Sequence, residues 1–415
     1  MVGVITNGDI RRYLLQGGTA DQTVTVCMNR QFHAVRVDTP REELLKIFDL
    51  GYHAIPCLDH DGKLKDIYLR HLTANPETPV LARARAPVRM SFCGGGADLT
   101  YFFIDHSAAV LSCTVGLYAH ATLIPRDDKR IRIFSEDMGQ EEHYASLPEL
   151  VANPDKSLLS TIISLIQPQY GFDFYLHSDF PVGSGLGGSS AVTTATIAAF
   201  NELRQDHWST YEIAELAFQA ERLCFGIAGG WQDQYASAFG GINLIEFEHQ
   251  HNLVHPIRLD EATHNELGAC LLLCNTGITH DSGKLHEIQR QAMETEPSQT
   301  DLLRESVTLC RRMHHHLIRG ELNDFGRRMH EAWLLKKQFS SSVSTPQLDQ
   351  IYTTAIQGGA LGGKLLGAGG GGFFLFYVQP QGRQSVIRAV QSLGCQTTSF
   401  RFESQGVVSW RAKLK

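Results

Sequence analysis

PVGSGLGGSSA, Pro181–Ala191, gives five of its eleven positions to Gly or Pro and then offers two hydroxyls at the mouth of an apolar run. Before it, DFYLHSDF (Asp173–Phe180) alternates as a strand does; after it, SAVTTATIAAFNEL (Ser190–Leu203) reads as a helix rich in small residues. Strand, glycine-rich loop and helix start together build an anion site. Glycines let backbone N–H groups curl inward and approach a phosphate, and the helix start adds the positive end of its dipole. Tight turns also use glycine, so the loop alone leaves both readings open. Its spacing is neither GxxxxGK[ST] nor a GxGxxG followed by an acidic residue about twenty positions on, which excludes the two commonest phosphate loops.

Two further glycine clusters flank it in sequence. RARAPVRMSFCGGGADLTYFF (Arg83–Phe103) lies upstream and GGKLLGAGGGGFFLFY (Gly362–Tyr377) lies near the C-terminus. In this order the three stretches resemble the GHMP kinases, the family of galactokinase, homoserine kinase, mevalonate kinase and phosphomevalonate kinase. The resemblance runs roughly from Arg83 to Lys415, and the wording is closest to the family's bacterial D-glycero-D-manno-heptose 7-phosphate kinase branch. It implies an α+β fold of two lobes, a ribosomal protein S5-like N-lobe over residues 80–262 and a ferredoxin-like C-lobe over 268–415. ATP and substrate would lie in the cleft between them.

Carried over position by position, the resemblance wraps the ATP triphosphate with Pro181, Gly183, Ser184, Gly185, Leu186, Gly187, Gly188, Ser189 and Ser190. The family's magnesium-binding serine would stand where this chain has Gly188, so Ser189, which follows, is the candidate to take that role. Glu221 in FQAERLCFG matches the acidic magnesium ligand; otherwise it is an exposed helix residue. A carboxylate facing a triphosphate suits a hard cation that keeps several waters. Asp233 in GGWQDQYASAFGG matches the catalytic aspartate, which accepts the proton of the attacking hydroxyl; its alternative role is a helix N-cap. Arg89 matches the basic residue beside it, whose fixed charge would hold Asp233 ionised and offset charge on the phosphoryl oxygens. Asp98 matches a sugar-hydroxyl ligand of the galactokinase branch, with Gly95 and Gly96 beside it. The C-terminal glycine run enters a strand at Phe373–Val378, and a mainly structural loop with backbone contacts is expected there. In NTGITHDSGKLHEIQ, the polar loop with Thr279, Ser282 and Lys284 follows a strand, Cys270–Asn275, and could approach a distal substrate phosphate. Consecutive histidines in MHHHL (Met313–Leu317) point in different directions on a helix and are not read as a metal site.

Residues 1–75 have a separate rhythm. Val2–Ile5 is a short β-branched run and Asp9–Leu15 a helix. VDTPREELLKIFDLG (Val37–Gly51) predicts a helix with Thr39 as N-cap, Pro40 in the first turn and Glu42 closing a capping box. AIPCLDHDGKLKDIYLRHL (Ala54–Leu72) reads as strand, Asp-Gly hairpin and strand. With GVITNGDIRR before it, this pattern resembles a truncated pair of cystathionine-β-synthase-type (CBS) modules, one whole repeat plus half of another. Such modules pair to form a nucleotide cleft, so half the cleft is missing unless a second chain in a homodimer supplies it. Pro76 and Pro79 mark the seam.

Composition bounds the rest. The chain has 415 residues, 43% of them hydrophobic, a net charge of −7 and nine scattered cysteines. No basic footprint for nucleic acid, no apolar run of membrane length and no disulfide or zinc spacing is present, so a cytoplasmic protein is expected. The leading reading is an ATP- and magnesium-dependent kinase of a small sugar phosphate, acting on the anomeric hydroxyl of a heptose 7-phosphate. Kinases of fucose or galactose type, or a non-catalytic nucleotide sensor, are the alternatives; a pure sensor has no need of Asp233 with Arg89 and Glu221.

Overall fold

Every second residue from Ala82 to Phe92 is at most 1% exposed, and this period of two sets one face of a long strand, β4 (Val80–Cys93), into the core. The computed structural model describes residues 1–70, 80–278 and 297–414. It divides into two units, Met1–Thr78 and Pro79–Lys415.

In the larger unit β4 pairs along its length with β5 (Ala108–Arg126), a 19-residue strand that is the spine of an eight-stranded sheet. The other edge of β5 serves two strands in turn. Its first part, Ala108–Cys113, pairs with β9 (Ile242–Phe247), and its last part, Ala119–Arg126, pairs with β8 (Gly171–Ser178). Outside β8 lie β6 (Ile131–Ser135), parallel to it, and β7 (Gln140–Tyr144); outside β9 lies β10 (Asn252–Pro256). A second, antiparallel sheet has the order β12 (Ala360–Leu365), β13 (Phe373–Val378), β11 (Leu271–Asn275), β14 (Gln396–Thr398). The last strand, β15 (Val408–Lys413), returns to the first sheet and pairs with Val80–Arg85 of β4. The final residues of the span expected as C-lobe are therefore a strand of the N-terminal sheet.

The helix after the glycine loop, Gly188–Asn201, packs on β4 and β5. Ala191, Ala195, Ala198 and Ala199 keep its buried face thin enough for close approach, and Phe200 stacks on Phe174 and meets Phe172 edge-on. Its buried threonines return their hydroxyls to the carbonyls four residues back, Thr193 to Ser189, Thr194 to Ser190 and Thr196 to Val192, so no hydroxyl of the three is stranded in the core.

The smaller unit has its own core of Val35, Ile47, Phe48, Ile55 and Cys57. Its three-stranded sheet pairs β1 (Val35–Arg36) parallel to β2 (Ala54–Leu58) and β2 antiparallel to β3 (Leu64–Leu69). Two sequence expectations shift here. Val2–Ile5 contributes only an isolated bridge, Val4 to Asn29. The helix expected from Thr39 runs over Arg41–Asp49 with Pro40 as N-cap and no capping box, because the Thr39 hydroxyl accepts instead from the Arg36 N–H at 3.0 Å.

Candidate active site

Arg89 comes from β4 and Asp233 from the first turn of the helix Gln232–Phe239, whose N-cap is Trp231, so Asp233 is not the cap. The guanidinium Nε and Nη2 donate to the two carboxylate oxygens at 2.7 Å each. Nη1 donates to the Gly185 carbonyl at 2.6 Å, and the Arg89 backbone N–H donates to the Leu186 carbonyl at 2.9 Å. One buried arginine thus ties the first glycine stretch to the central loop and holds the aspartate in a two-pronged grip.

Two cavities meet at this pair. The first is walled by the glycine loop, Glu221, Phe180 and Phe225, and has a volume of about 470 Å³. The second is lined by Gly95, Gly96, Asp98, Lys336 and Lys364. Arg89, Asp233, Gly367 and Ala368 line both. The third glycine stretch closes the wall. Gly185 has φ +75°, and a Cβ there would stand 2.9 Å from the Leu366 carbonyl oxygen, so the central and C-terminal loops touch through backbone alone. Leu366 through Gly372 accordingly shapes the site by contact with the central loop.

In the second cavity Asp98 is 2% exposed, and its carboxylate accepts from the Gly96 N–H at 3.0 Å and the Gln232 N–H at 3.1 Å. Burial, and then the nearby Asp233 charge, push its carboxyl above the ordinary range. Gly230 is required beside it, since a Cβ there would lie 1.9 Å from Asp98 Oδ2. Ser91 Oγ and Gln232 Oε1 line the same cavity, buried and without a hydrogen-bond partner.

In the first cavity Glu221 lies on a π-helical turn, Gln219–Cys224, that continues the helix Thr210–Phe218. The turn brings its carboxylate inward to 1% exposure, which removes the exposed-helix alternative. Glu221 Oε2 accepts from Ser190 Oγ at 2.7 Å and Gln234 Nε2 at 2.6 Å, and Arg222 stands 3.4 Å from Oε1. It is Ser190, not Ser189, that bonds to this carboxylate. Ser189 Oγ is buried and unpartnered on the cavity wall. A carboxylate and an unpartnered hydroxyl on the wall of one phosphate-loop cavity are hard-oxygen donors of the kind that suits a magnesium ion. At position 188 a Cβ would stand 2.5 Å from Phe180 Cε2, so the Phe180 ring occupies the space a serine would need there.

All the expected site residues line one cavity or the other except Leu186, whose side chain is fully buried in the core and whose backbone alone serves the loop. Thr279, Ser282 and Lys284 lie outside the described residues. His316, Glu321 and Asp324 come close enough to share a cation on the surface, with His316 Nδ1 2.7 Å from Glu321, but lie apart from both cavities. Sequence reasoning missed Lys336 and Lys364. Lys364 left a trace, a lone charge between GG and LLGAGGGG on a strand that is otherwise apolar; Lys336 left none, being one of two lysines at a helix end.

The GHMP kinases N terminal domain matches residues 157–241, GHMP kinases C terminal matches 313–394, and a CBS domain matches 24–71. The D-glycero-alpha-D-manno-heptose 7-phosphate kinase of Campylobacter jejuni is 34% identical over 336 residues, 79% of this chain and 98% of that protein. A crystal structure described as a D-glycero-D-manno-heptose 1-phosphate kinase from Bacteroides thetaiotaomicron superposes with a TM-score of 0.66 at 28% identity, over 79% of this chain and 98% of that one. The L-fucokinase/L-fucose-1-P guanylyltransferase of Bacteroides fragilis is 29% identical over 79% of this chain but only 38% of that protein. Among the described residues no helix is long and apolar enough to cross a membrane.

Proposed function

This chain belongs to the GHMP kinases, and on that premise we propose that it transfers the γ-phosphoryl group of ATP to the anomeric hydroxyl of D-glycero-D-manno-heptose 7-phosphate. The products are ADP and the 1,7-bisphosphate. The observation that carries this reading is the Arg89–Asp233 pair standing in the wall shared by a phosphate-loop cavity and an acid-lined cavity. A donor on one side and an acceptor on the other would meet at that pair.

ATP takes the larger cavity, its triphosphate along Gly183–Ser190 and its base toward the apolar end near Phe180 and Phe225. The heptose takes the smaller one. Asp98 accepts sugar hydroxyls there, and Ser91 Oγ and Gln232 Oε1, otherwise stranded, gain partners. As the anomeric oxygen bonds to the γ-phosphorus, the bond from that phosphorus to the ADP oxygen breaks and the hydroxyl proton passes to Asp233. Asp233 then releases the proton to water. Three of the five Arg89 N–H groups are committed to Asp233 and Gly185, which leaves two for the transferring oxygens. Magnesium, held by Glu221 and Ser189, would neutralise charge on the triphosphate.

The test is ATP consumption by the purified chain against a panel of sugars and sugar phosphates. The heptose 7-phosphate should be consumed with the highest kcat/KM, by at least about tenfold over its unphosphorylated parent, fucose and galactose. A preference for fucose or galactose would overturn the assignment of the acceptor.

A further inference from the structure

Lys364 is an unusual residue for the inside of a protein. It lies on β12, is 4% exposed, lines the Asp98 cavity, and makes no hydrogen bond or ion pair among the described residues. Lys336 projects into the same cavity from the helix Leu322–Lys337. Its amino group donates to the carbonyls of Leu365 at 3.0 Å and Gly367 at 2.6 Å, which leaves one N–H over and no carboxylate in the described contacts of that group. The charges around this cavity do not balance. Arg89 is matched by Asp233, and Asp98 supplies at most one negative charge against two lysines. A buried ammonium without a counter-ion is costly, and it persists where a ligand supplies the missing charge. A neutral sugar cannot do so; a phosphate dianion can.

We infer that Lys364, seconded by Lys336, binds a phosphoryl dianion in the acceptor cavity, and that this dianion is the acceptor's own phosphate. The inference rests on the reading of the cavity as the acceptor site. The same chemistry has a second source, the γ-phosphoryl of ATP in transfer, and the two are separable because one arrives with the sugar and the other with the nucleotide. The lysines select for a phosphorylated acceptor by leaving an unpaired buried charge when the acceptor lacks one, the device by which a site discriminates most strongly.

The experiment is titration calorimetry on the full-length chain and its Lys364→Met and Lys364→Arg variants. The probes are D-glycero-D-manno-heptose 7-phosphate, the unphosphorylated heptose, mannose 6-phosphate and a non-hydrolysable ATP analogue, each added alone. The parent should bind the heptose phosphate at least about tenfold more tightly than the heptose, the scale of one charge-assisted hydrogen bond. Lys364→Met should erase that gap, Lys364→Arg should retain part of it, and the affinity for the ATP analogue should stay within about twofold throughout. A gap that survives in Lys364→Met overturns the inference. So does a loss confined to the ATP analogue, which would assign Lys364 to the transferred group. The thermal midpoint of ligand-free Lys364→Met should equal or exceed the parent's, because the substitution removes an unpaired buried charge; a fall of several degrees would make Lys364 a structural residue and sink the inference. If mannose 6-phosphate binds better than the heptose phosphate and its advantage also depends on Lys364, the heptose assignment fails while this inference stands.

Discussion

Lys364 also sets a pH limit. Burial, its largest influence, pulls its ammonium down to about 8 from the ordinary lysine value of 10.5, with the charge of Arg89 acting in the same direction and the thiols of Cys93 and Cys310 and the carboxylate of Asp98 acting against it. Lys336, buried beside Lys364 and Arg89, is lowered in the same sense. Below pH 8 the acceptor meets a cation; as pH rises through about 8 the cation is lost. We therefore expect the KM for a phosphorylated acceptor to climb between about pH 8 and 9.5, while the KM for ATP stays flat and Lys364→Arg removes the climb. An acceptor KM that is flat over this range in the parent would contradict it. The stability sign is opposite. Because the folded chain gives up this proton more readily than the unfolded one, the burden of Lys364 is full below pH 8 and shrinks as pH approaches 10.5. On the nucleotide side, Glu221→Gln should raise the magnesium concentration for half-maximal rate about tenfold, and Ser189→Ala should raise it less, read from magnesium titrations at fixed ATP. If neither variant moves the midpoint, these oxygens do not hold the ion. Arg89, Asp98, Glu221 and Asp233 could be named beforehand through the family resemblance of the runs they stand in, and the structure brings them to the walls of the two cavities. Lys364 could not be, because its meaning lies in being buried without a partner, which no linear pattern records.

At the scale of elements, the strand, loop and helix around Pro181–Ala191 follow directly from alternation, glycine spacing and small-residue content, and the structure places them at Gly171–Ser178 and Gly188–Asn201. Two things were hidden. The π-helical turn that turns Glu221 inward inserts one residue into an ordinary helical pattern and has no compositional mark. The return of β15 to β4 pairs residues more than three hundred positions apart, a choice made by tertiary packing. The misplaced cap at Thr39 shows the same limit at short range, since a nearby N–H outcompeted the helix for one hydroxyl. The contact of the two glycine loops gives a sharp test. Gly185→Ala would put a side chain on a residue at φ +75° and against the Leu366 carbonyl, both backbone constraints that cannot relax by rotamer change. We expect a thermal midpoint lower by a few degrees and a KM for ATP raised at least about tenfold, with the acceptor KM much less affected. Unchanged ATP kinetics would mean that the loop crossing does not shape the nucleotide site.

For the whole molecule, the two units have separate cores, and every residue assigned to catalysis lies in Pro79–Lys415. Removing residues 1–75 should leave kcat and both KM values within about twofold, and neither AMP nor ADP should act on the full chain beyond competition with ATP, because one repeat offers only part of an enclosed nucleotide pocket. A nucleotide effect confined to the full-length protein would make the CBS region a sensor. On the proposed function, Asp233, gripped by Arg89 between the two cavities, takes the proton as the phosphoryl group passes to the anomeric oxygen of a sugar that already carries a phosphate. Phosphorus NMR of the parent chain with ATP, magnesium and D-glycero-D-manno-heptose 7-phosphate tests it directly. We expect ADP together with a new anomeric phosphate signal, the 7-phosphate signal kept at full intensity, and a rate at least about a hundredfold lower in Asp233→Asn with ATP affinity retained. Phosphate appearing at another oxygen, or near-parental turnover by Asp233→Asn, would contradict it.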